Sequence, residues 1–379
     1  TYVTMFERVL FSYEDLEIRI SDYANEDILY LLNHTVIGSE GGMRYSLRNI
    51  EPKIEGYGDK IRFVSLYKKK QLIGCIGACY RLTGVGRLKA YCSFMRYLAF
   101  QSSYQTGMRA DGEKRLRDKA EKDGSFKQKI LDLFSKPHIL NINEVGEKDK
   151  HIMYAFVEGT NERSKNLISQ AGYELARSFQ TVAFSRFSPE RHPAATLLSE
   201  EEKPVMTKLL TDYYRDYSLF TTEFAFYNNK YYVLKEDGEI KAGVCVIPSE
   251  YRVYNIPGVW GWVIMKVLPH VPVYKKLFNP DKFRFLVFEA IYCKEGEEKK
   301  LESLFESVCA IEGYNTALTW ADDRSQLFEM LKTKVDTGAL GRMLNAKPGL
   351  ICYRFINFND EEKDLFYETP AYISAYDFS

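Results

Sequence analysis

Residues 153–173 read MYAFVEGTNERSKNLISQAGY. The opening run, 153–157, is apolar or aromatic and short, as a strand covered on both faces would be. Asn161 follows, and Asn is a favoured N-cap because its side-chain oxygen accepts a bond from an orphan N–H of the first helical turn. The spacing predicts a helix over 162–171. Gly172 then supplies the residue type that most easily takes the left-handed conformation ending a helix. The segment therefore reads as strand, capped helix and a Gly-Tyr close.

Upstream of it, residues 16–20 alternate apolar and charged side chains and read as a first strand. Residues 27–32 suit a short helix, followed by a turn at Gly41 and Gly42. Two β-rich runs, 62–67 and 71–80, flank Lys68, Lys69 and Lys70 and predict a hairpin with a solvated tip. Residues 91–100 are almost wholly apolar or aromatic, the pattern of a central strand. Residues 109–121 are polar with a narrow stripe at Leu116 and Ala120. Gly124 breaks that run, and Phe126, Ile130, Leu131 and Phe134 mark a second amphipathic helix. Residues 179–187 form the strand that closes this half.

Downstream, Pro189, Pro193 and a charged run mark a linker. A second cycle then begins with a helix over 204–217. Residues 231–235 and 240–248 flank Asp237 and Gly238, a strong hairpin turn pair. A long apolar strand over 283–293 follows, and then Leu301, Leu304, Phe305, Val308 and Cys309 at helical spacing before Gly313. A strand over 316–321, a helix over 324–331 and a strand over 350–356 complete it. Both halves run hairpin, long strand, helix, short strand, helix, final strand, which reads as a duplicated architecture. We expect domains at 1–188 and 203–379 joined by a linker at 189–202.

The chain has 379 residues, enough for two cores of roughly 190 residues each. Its formal net charge is zero, so no bulk field draws it to nucleic acid or anionic lipid, and neither partner is expected. No apolar run reaches the roughly 18 residues a membrane span needs, and residues 1–10 lack a secretory pattern. Seven cysteines, among them Cys75 and Cys79 four apart in one strand, lie in apolar elements without a framework spacing. They read as free thiols in a reducing, cytoplasmic setting. His34, His138, His151, His192 and His270 are dispersed, and no metal site is expected.

The strand–Asn–helix–Gly-Tyr segment, with the order of elements around it, resembles the GNAT superfamily of acyl-CoA-dependent N-acyltransferases. The resemblance implies a mixed α/β (α+β) fold, with two GNAT-like domains in tandem, each a central mixed sheet with helices on both faces. It also implies that the fourth and fifth strands splay apart, with the pantetheine arm between them. The loop after the fourth strand would hold the pyrophosphate on clustered amides and a helix N-terminus. In this chain that loop is Gln105, Thr106, Gly107, Met108, Arg109 and Ala110. Gln105 and Ala110 match the ends of the family motif, while Met108 stands where the family has glycine. Arg109, Lys114, Arg115 and Arg117 read either as phosphate contacts or as a solvated helix face. With Leu98 and Phe100 on the strand, and Asn161 and Ser164 after the next one, these residues make up the expected acyl-CoA site. The co-substrate would be acetyl-CoA or another acyl-CoA, and the acceptor a small-molecule or peptide amine.

The catalytic groups are thinner. Ile168 stands where the family often has a general-acid tyrosine, and an isoleucine cannot protonate a thiolate. The strand over 91–100 carries no carboxylate, and Arg96 is its charged residue. Tyr97 on that strand, and Glu289 and Tyr292 on the corresponding strand of the second half, are the candidates. Glu289 lies in an apolar strand, where it reads as a base with raised pKa, as a residue facing solvent on an exposed side, or as a partner of Lys282 or Arg284. The loop 294–299 carries three carboxylates, which would repel a pyrophosphate, and Phe328 gives the following helix no hydroxyl, so the second half is expected to be non-catalytic. Two readings stand: an acyl-CoA-dependent N-acyltransferase, or an inactive GNAT-like binding or regulatory protein. The aromatic tail, with Tyr372, Tyr376 and Phe378, is expected to pack on its own second domain, with docking onto another subunit as the alternative. Monomer and homodimer both remain open.

Overall fold

The computed structural model describes residues 5–38, 41–101, 136–140, 145–344 and 346–379. The expected phosphate loop at 105–110 and the helices expected over 109–121 and 126–134 lie outside these residues. In the first half the strands are β1 (Glu7–Tyr13), β2 (Leu16–Ser21), β3 (Arg44–Leu47), β4 (Ile61–Lys68), β5 (Gln71–Val85), β6 (Leu88–Phe100), β7 (His151–Glu158) and β8 (Glu174–Ser185). In the second they are β9 (Ala195–Leu197), β10 (Tyr231–Glu236), β11 (Glu239–Asn255), β12 (Phe283–Cys293), β13 (Thr316–Asp322) and β14 (Gly349–Ile356). β9 falls in the stretch expected as a linker and pairs with β10.

The fold is mixed α/β, and its two halves repeat the same plan. Each has an antiparallel run leading to one parallel pair, β6 with β7 and β12 with β13. Among the described residues the strands join into one sheet, in the order β1-β2-β4-β5-β6-β7-β14-β8-β13-β12-β11-β10-β9. The halves meet by exchanging their last strands. β14, from the end of the chain, pairs with β7 from Gly349↔Glu158 to Ile356↔His151. β8 pairs with β13 from Thr316↔Ser185 to Asp322↔Phe179. β3 crosses as well, and pairs with the far end of β11.

This exchange makes the core continuous. A single cluster of buried side chains includes Phe63 and Phe94 from the first half and Phe288 and Phe305 from the second. Strand exchange also brings charges together: Arg177 on β8 forms a buried, two-pronged pair with Asp322 on β13. Such a pair adds geometric specificity, because guanidinium and carboxylate match edge to edge.

The helix Glu162–Gln170 begins as expected. The Asn161 Oδ1 accepts from the Ser164 N–H at 3.0 Å, and Gly172 closes the helix at φ +78°. Ile168 packs with Met153, Ala155 and Tyr173 on the smaller core of the sheet's other face.

Candidate active site

Both parallel pairs are short, and each strand pair parts soon after it forms. β6 and β7 are in register from Tyr91↔His151 to Phe94↔Tyr154, and β12 and β13 only at Leu286↔Ala317 and Val287↔Leu318. A β-bulge follows on β6 and on β12. Tyr97 and Leu98 together oppose the single residue Ile76 of β5, and Ala290 and Ile291 oppose Val244 of β11. The first residue of each bulge is left-handed: Tyr97 at φ +59° and Ala290 at φ +50°. A bulge bends its strand and ends regular pairing, so each half opens a wedge between its parallel strands.

The two wedges differ in what occupies them. In the second half the C-terminal tail enters. Ser218 pairs with it on both sides, donating to the Pro370 carbonyl and accepting from the Tyr372 N–H at 2.8 Å each. Ala371, Tyr372 and Ile373 then lie against Phe288, Ile291 and Trp320, and the space left is about 10 Å³, room for no more than about one water. In the first half, β6 from its bulge onward carries Leu98, 44% exposed between the buried Tyr97 and Ala99, and then Phe100. Asn161 and Ser164 begin the helix directly after β7.

The tail continues from the second wedge to the first half. Phe378 stacks on Trp320 at 4.2 Å and on Phe156 of β7 at 5.3 Å. Asp377 is buried in a two-pronged pair with Arg81 of β5 and also accepts from the Tyr57 hydroxyl at 2.9 Å. Arg81 in turn donates to the Tyr154 hydroxyl at 2.9 Å. Arg96 donates to the Ser379 carbonyl at 2.8 Å and to the Tyr57 hydroxyl at 3.1 Å. The tail therefore docks within its own chain, as expected, but across both halves rather than on the second alone.

Glu289 is 1% exposed, and its oxygens accept from the Tyr372 hydroxyl, from the Ser374 hydroxyl at 3.2 Å and from the Tyr376 N–H at 3.0 Å. Burial pushes its carboxyl up to about 7, against the bonds from Tyr372 and Tyr376, which favour the charged form. Nearby Lys53 is buried, donates to the Pro248 carbonyl at 2.9 Å, and is pushed down to about 7 by burial and by Arg96.

Of the other candidates, Tyr97 leans over Gly77 and stacks on Phe63, towards β4 rather than β7. Burial pushes its phenol well above its ordinary range, and among the described residues its hydroxyl has no hydrogen-bond partner. Tyr292 packs edge-on against Tyr213, beside the helix Lys203–Tyr213. Glu289 alone of the three catalytic candidates meets the tail.

Reading the sequence missed Arg81, Lys53 and Asp377. The signal available was a charge inside an apolar strand, which Arg81 shares with Arg96 and Glu289. Glu158 was also passed over. It ends β7 with its carboxylate over Gly42, where even a Cβ would come within 1.6 Å. Among the described residues no group of His, Cys, Asp and Glu could hold a metal ion.

No protein-family model matches the chain, and no curated protein matches it. Solved structures do. Saccharomyces cerevisiae N-myristoyltransferase with bound myristoyl-CoA aligns at a TM-score of 0.53 and 10% identity, over 97% of this chain and 86% of that one. A second structure of that enzyme with myristoyl-CoA aligns at 0.52 and 11%, over 94% and 86%. A GCN5-related N-acetyltransferase from Anabaena variabilis aligns at 0.44 and 12%, over 89% and 72%. The fold is thus that of the GNAT-like acyl-CoA N-acyltransferases, with two such halves in tandem.

Proposed function

We propose that this chain is an acyl-CoA-dependent N-acyltransferase that passes an acetyl or longer acyl group to a small-molecule or peptide amine. The observation that carries the reading is the asymmetry of the two wedges. The second is filled by the chain's own tail, whereas in the first the end of that tail touches Phe156 and Arg96 and leaves Leu98 of β6 exposed. The acyl-CoA thioester would lie along the β6 edge, with Leu98, Phe100, Asn161 and Ser164 beside it.

The chemistry asked of the chain is modest. The amine nitrogen attacks the thioester carbon, its proton passes to solvent, and the C–S bond breaks to release CoA. Backbone N–H groups of the β6 edge would stabilise the oxyanion, and the walls of the wedge would supply orientation. In this reading residues 1–188 form the ligand-binding half, 203–379 a non-catalytic partner, and 189–202 the join. The seven cysteines, all free and buried, support a reducing, cytoplasmic compartment.

Calorimetric titration with acetyl-CoA and with myristoyl-CoA tests the binding step. Saturable binding of either supports the proposal, and binding of neither overturns it. A second reading, a non-catalytic acyl-CoA binder, is favoured by Glu289, whose oxygens are committed to the tail. Release of free thiol with one member of an amine panel decides for the enzyme, and binding without thiol release decides for the binder.

A further inference from the structure

Between β11 and β12 the chain builds an outward platform. The helix Gly258–Lys266 is seated by Ile264, fully buried, and by Gly261, where a Cβ would meet the Ile256 carbonyl oxygen at 2.1 Å. Its other side carries Val259, Trp260 and Trp262, which are 80%, 62% and 61% exposed. Val267, Val271 and Val273 extend the apolar surface past the helix. Scattered exposed apolar residues need no explanation, but a contiguous patch with two tryptophans marks an interaction surface.

The same segment is strongly basic in a chain of zero net charge. Residues 256–284 hold five Lys and Arg against one acid, Asp281. Asp281 faces Arg252 at 3.9 Å, and Lys282 faces Glu250 at 3.9 Å. Lys266, Lys275 and Lys276 are exposed and, among the described residues, have no ion-pair partner. His270, Lys275, Lys276, Lys282 and Arg284 line an open cleft of about 760 Å³ beside the apolar surface.

We propose that this platform docks on an anionic lipid bilayer surface. The shapes of the two parts favour a bilayer over a protein groove. Here the apolar part is a convex helix face, suited to sinking among acyl chains, and the cationic part is concave, suited to receiving headgroup phosphates. Tryptophan prefers the membrane interface, and lysine stems lie along apolar surface while their charges reach the phosphates. No helix among the described residues is long and apolar enough to cross a membrane, so the helix lies on the surface. The zero net charge that argued against lipid is an average, and the field at this face is local.

Sedimentation of the full chain with vesicles of phosphatidylcholine, with and without roughly 30 mol % phosphatidylserine, tests this. Binding is expected only with the anionic lipid, and roughly 1 M salt should abolish it. Two of the three tryptophans lie in the platform and the third, Trp320, is buried, so emission should shift to the blue and be quenched by brominated lipid. The variant Lys266→Glu/Lys275→Glu/Lys276→Glu should weaken binding by at least about 100-fold, and Trp260→Ala/Trp262→Ala by roughly tenfold or more. These side chains are exposed, so unchanged melting temperatures should show that the variants fold. Absence of vesicle binding by the unaltered chain overturns the proposal. So does binding unaffected by both variants, or a self-associated chain that the Trp variant dissociates while vesicles bind neither form.

Discussion

Arg96 and Glu289 occupy the same place in the two halves, and both hold the C-terminal tail. Each is the last ladder residue before its bulge, Arg96 opposite Gly77 and Glu289 opposite Cys245. Arg96 donates to carbonyls of Tyr376 and Ser379, while Glu289 accepts from Tyr372, Ser374 and the N–H of Tyr376. One position of the repeated plan thus carries opposite charges and clamps one segment from two sides. Glu289→Ala leaves three buried donors without an acceptor, each costing about 1–3 kcal/mol, so a loss of roughly 3 kcal/mol or more is expected. Denaturant titration measures it. In a Trp260→Phe/Trp262→Phe background, a red shift of Trp320 at low denaturant would report that Phe378 has left its stack.

Asp377 and Arg81 form the deepest ion pair of the tail, with side-chain exposures of 0% and 3%. Removing one partner strands a buried charge, so Asp377→Ala should cost about 3–5 kcal/mol. The double variant Arg81→Met/Asp377→Leu should recover most of that loss, because it removes both desolvation penalties. If the double variant is as unstable as the single, the pair is worth more than its isosteric replacement.

Glu289 and Lys53 make separate contributions to the pH dependence of stability, on opposite sides of pH 7. Glu289 binds its proton more tightly when folded, about 7 against an ordinary 4.5. Its contribution is therefore full below pH 4.5 and lost as pH rises through about 7, on the order of 3 kcal/mol. Lys53 is depressed to about 7 from 10.5, so its contribution is present above pH 10.5 and lost as pH falls through about 7. His151, held down to about 4 by burial, opposes Glu289 in acid, so each contribution is read as a difference in melting temperature between a variant and the unaltered chain. Relative to the unaltered chain, Glu289→Gln should gain melting temperature from pH 4.5 to about 7, and Lys53→Met should lose it from about 7 to 10.5.

Asn161 separates scaffold from ligand. Asn161→Ala removes the cap on the Ser164 N–H and should cost about 1 kcal/mol. Asn161→Asp keeps the acceptor and the stability but loses the side-chain donor. If Asn161 bonds the acyl-CoA arm, as proposed, both variants should weaken acyl-CoA binding by calorimetry. A purely structural Asn161 would leave the Asp variant with unchanged affinity.

Much of this protein was set by its sequence alone. The Asn161 cap, the Gly172 close, the Asp237–Gly238 hairpin and the apolar strands over 91–100 and 283–293 are local patterns. Their physics acts within a turn or along a strand, and the repeated order gave the two halves. The sequence also marked Glu289 as a charge in an apolar strand, without deciding between solvent, Lys282 or Arg284 and a raised pKa.

Only the tertiary structure decided which partners. A strand pattern states that a segment belongs to a sheet but not beside which strand. Nothing local to β8 or β14 therefore foretold that they would trade places between halves. The bulges at Tyr97 and Ala290 need no glycine to mark them, since the mismatch with β5 and β11 creates them. The tail's aromatic residues signalled burial, yet the filled second wedge and the clamp of Arg96 and Glu289 depend on contacts spanning up to 283 residues. Such contacts exist only once the two halves share one sheet.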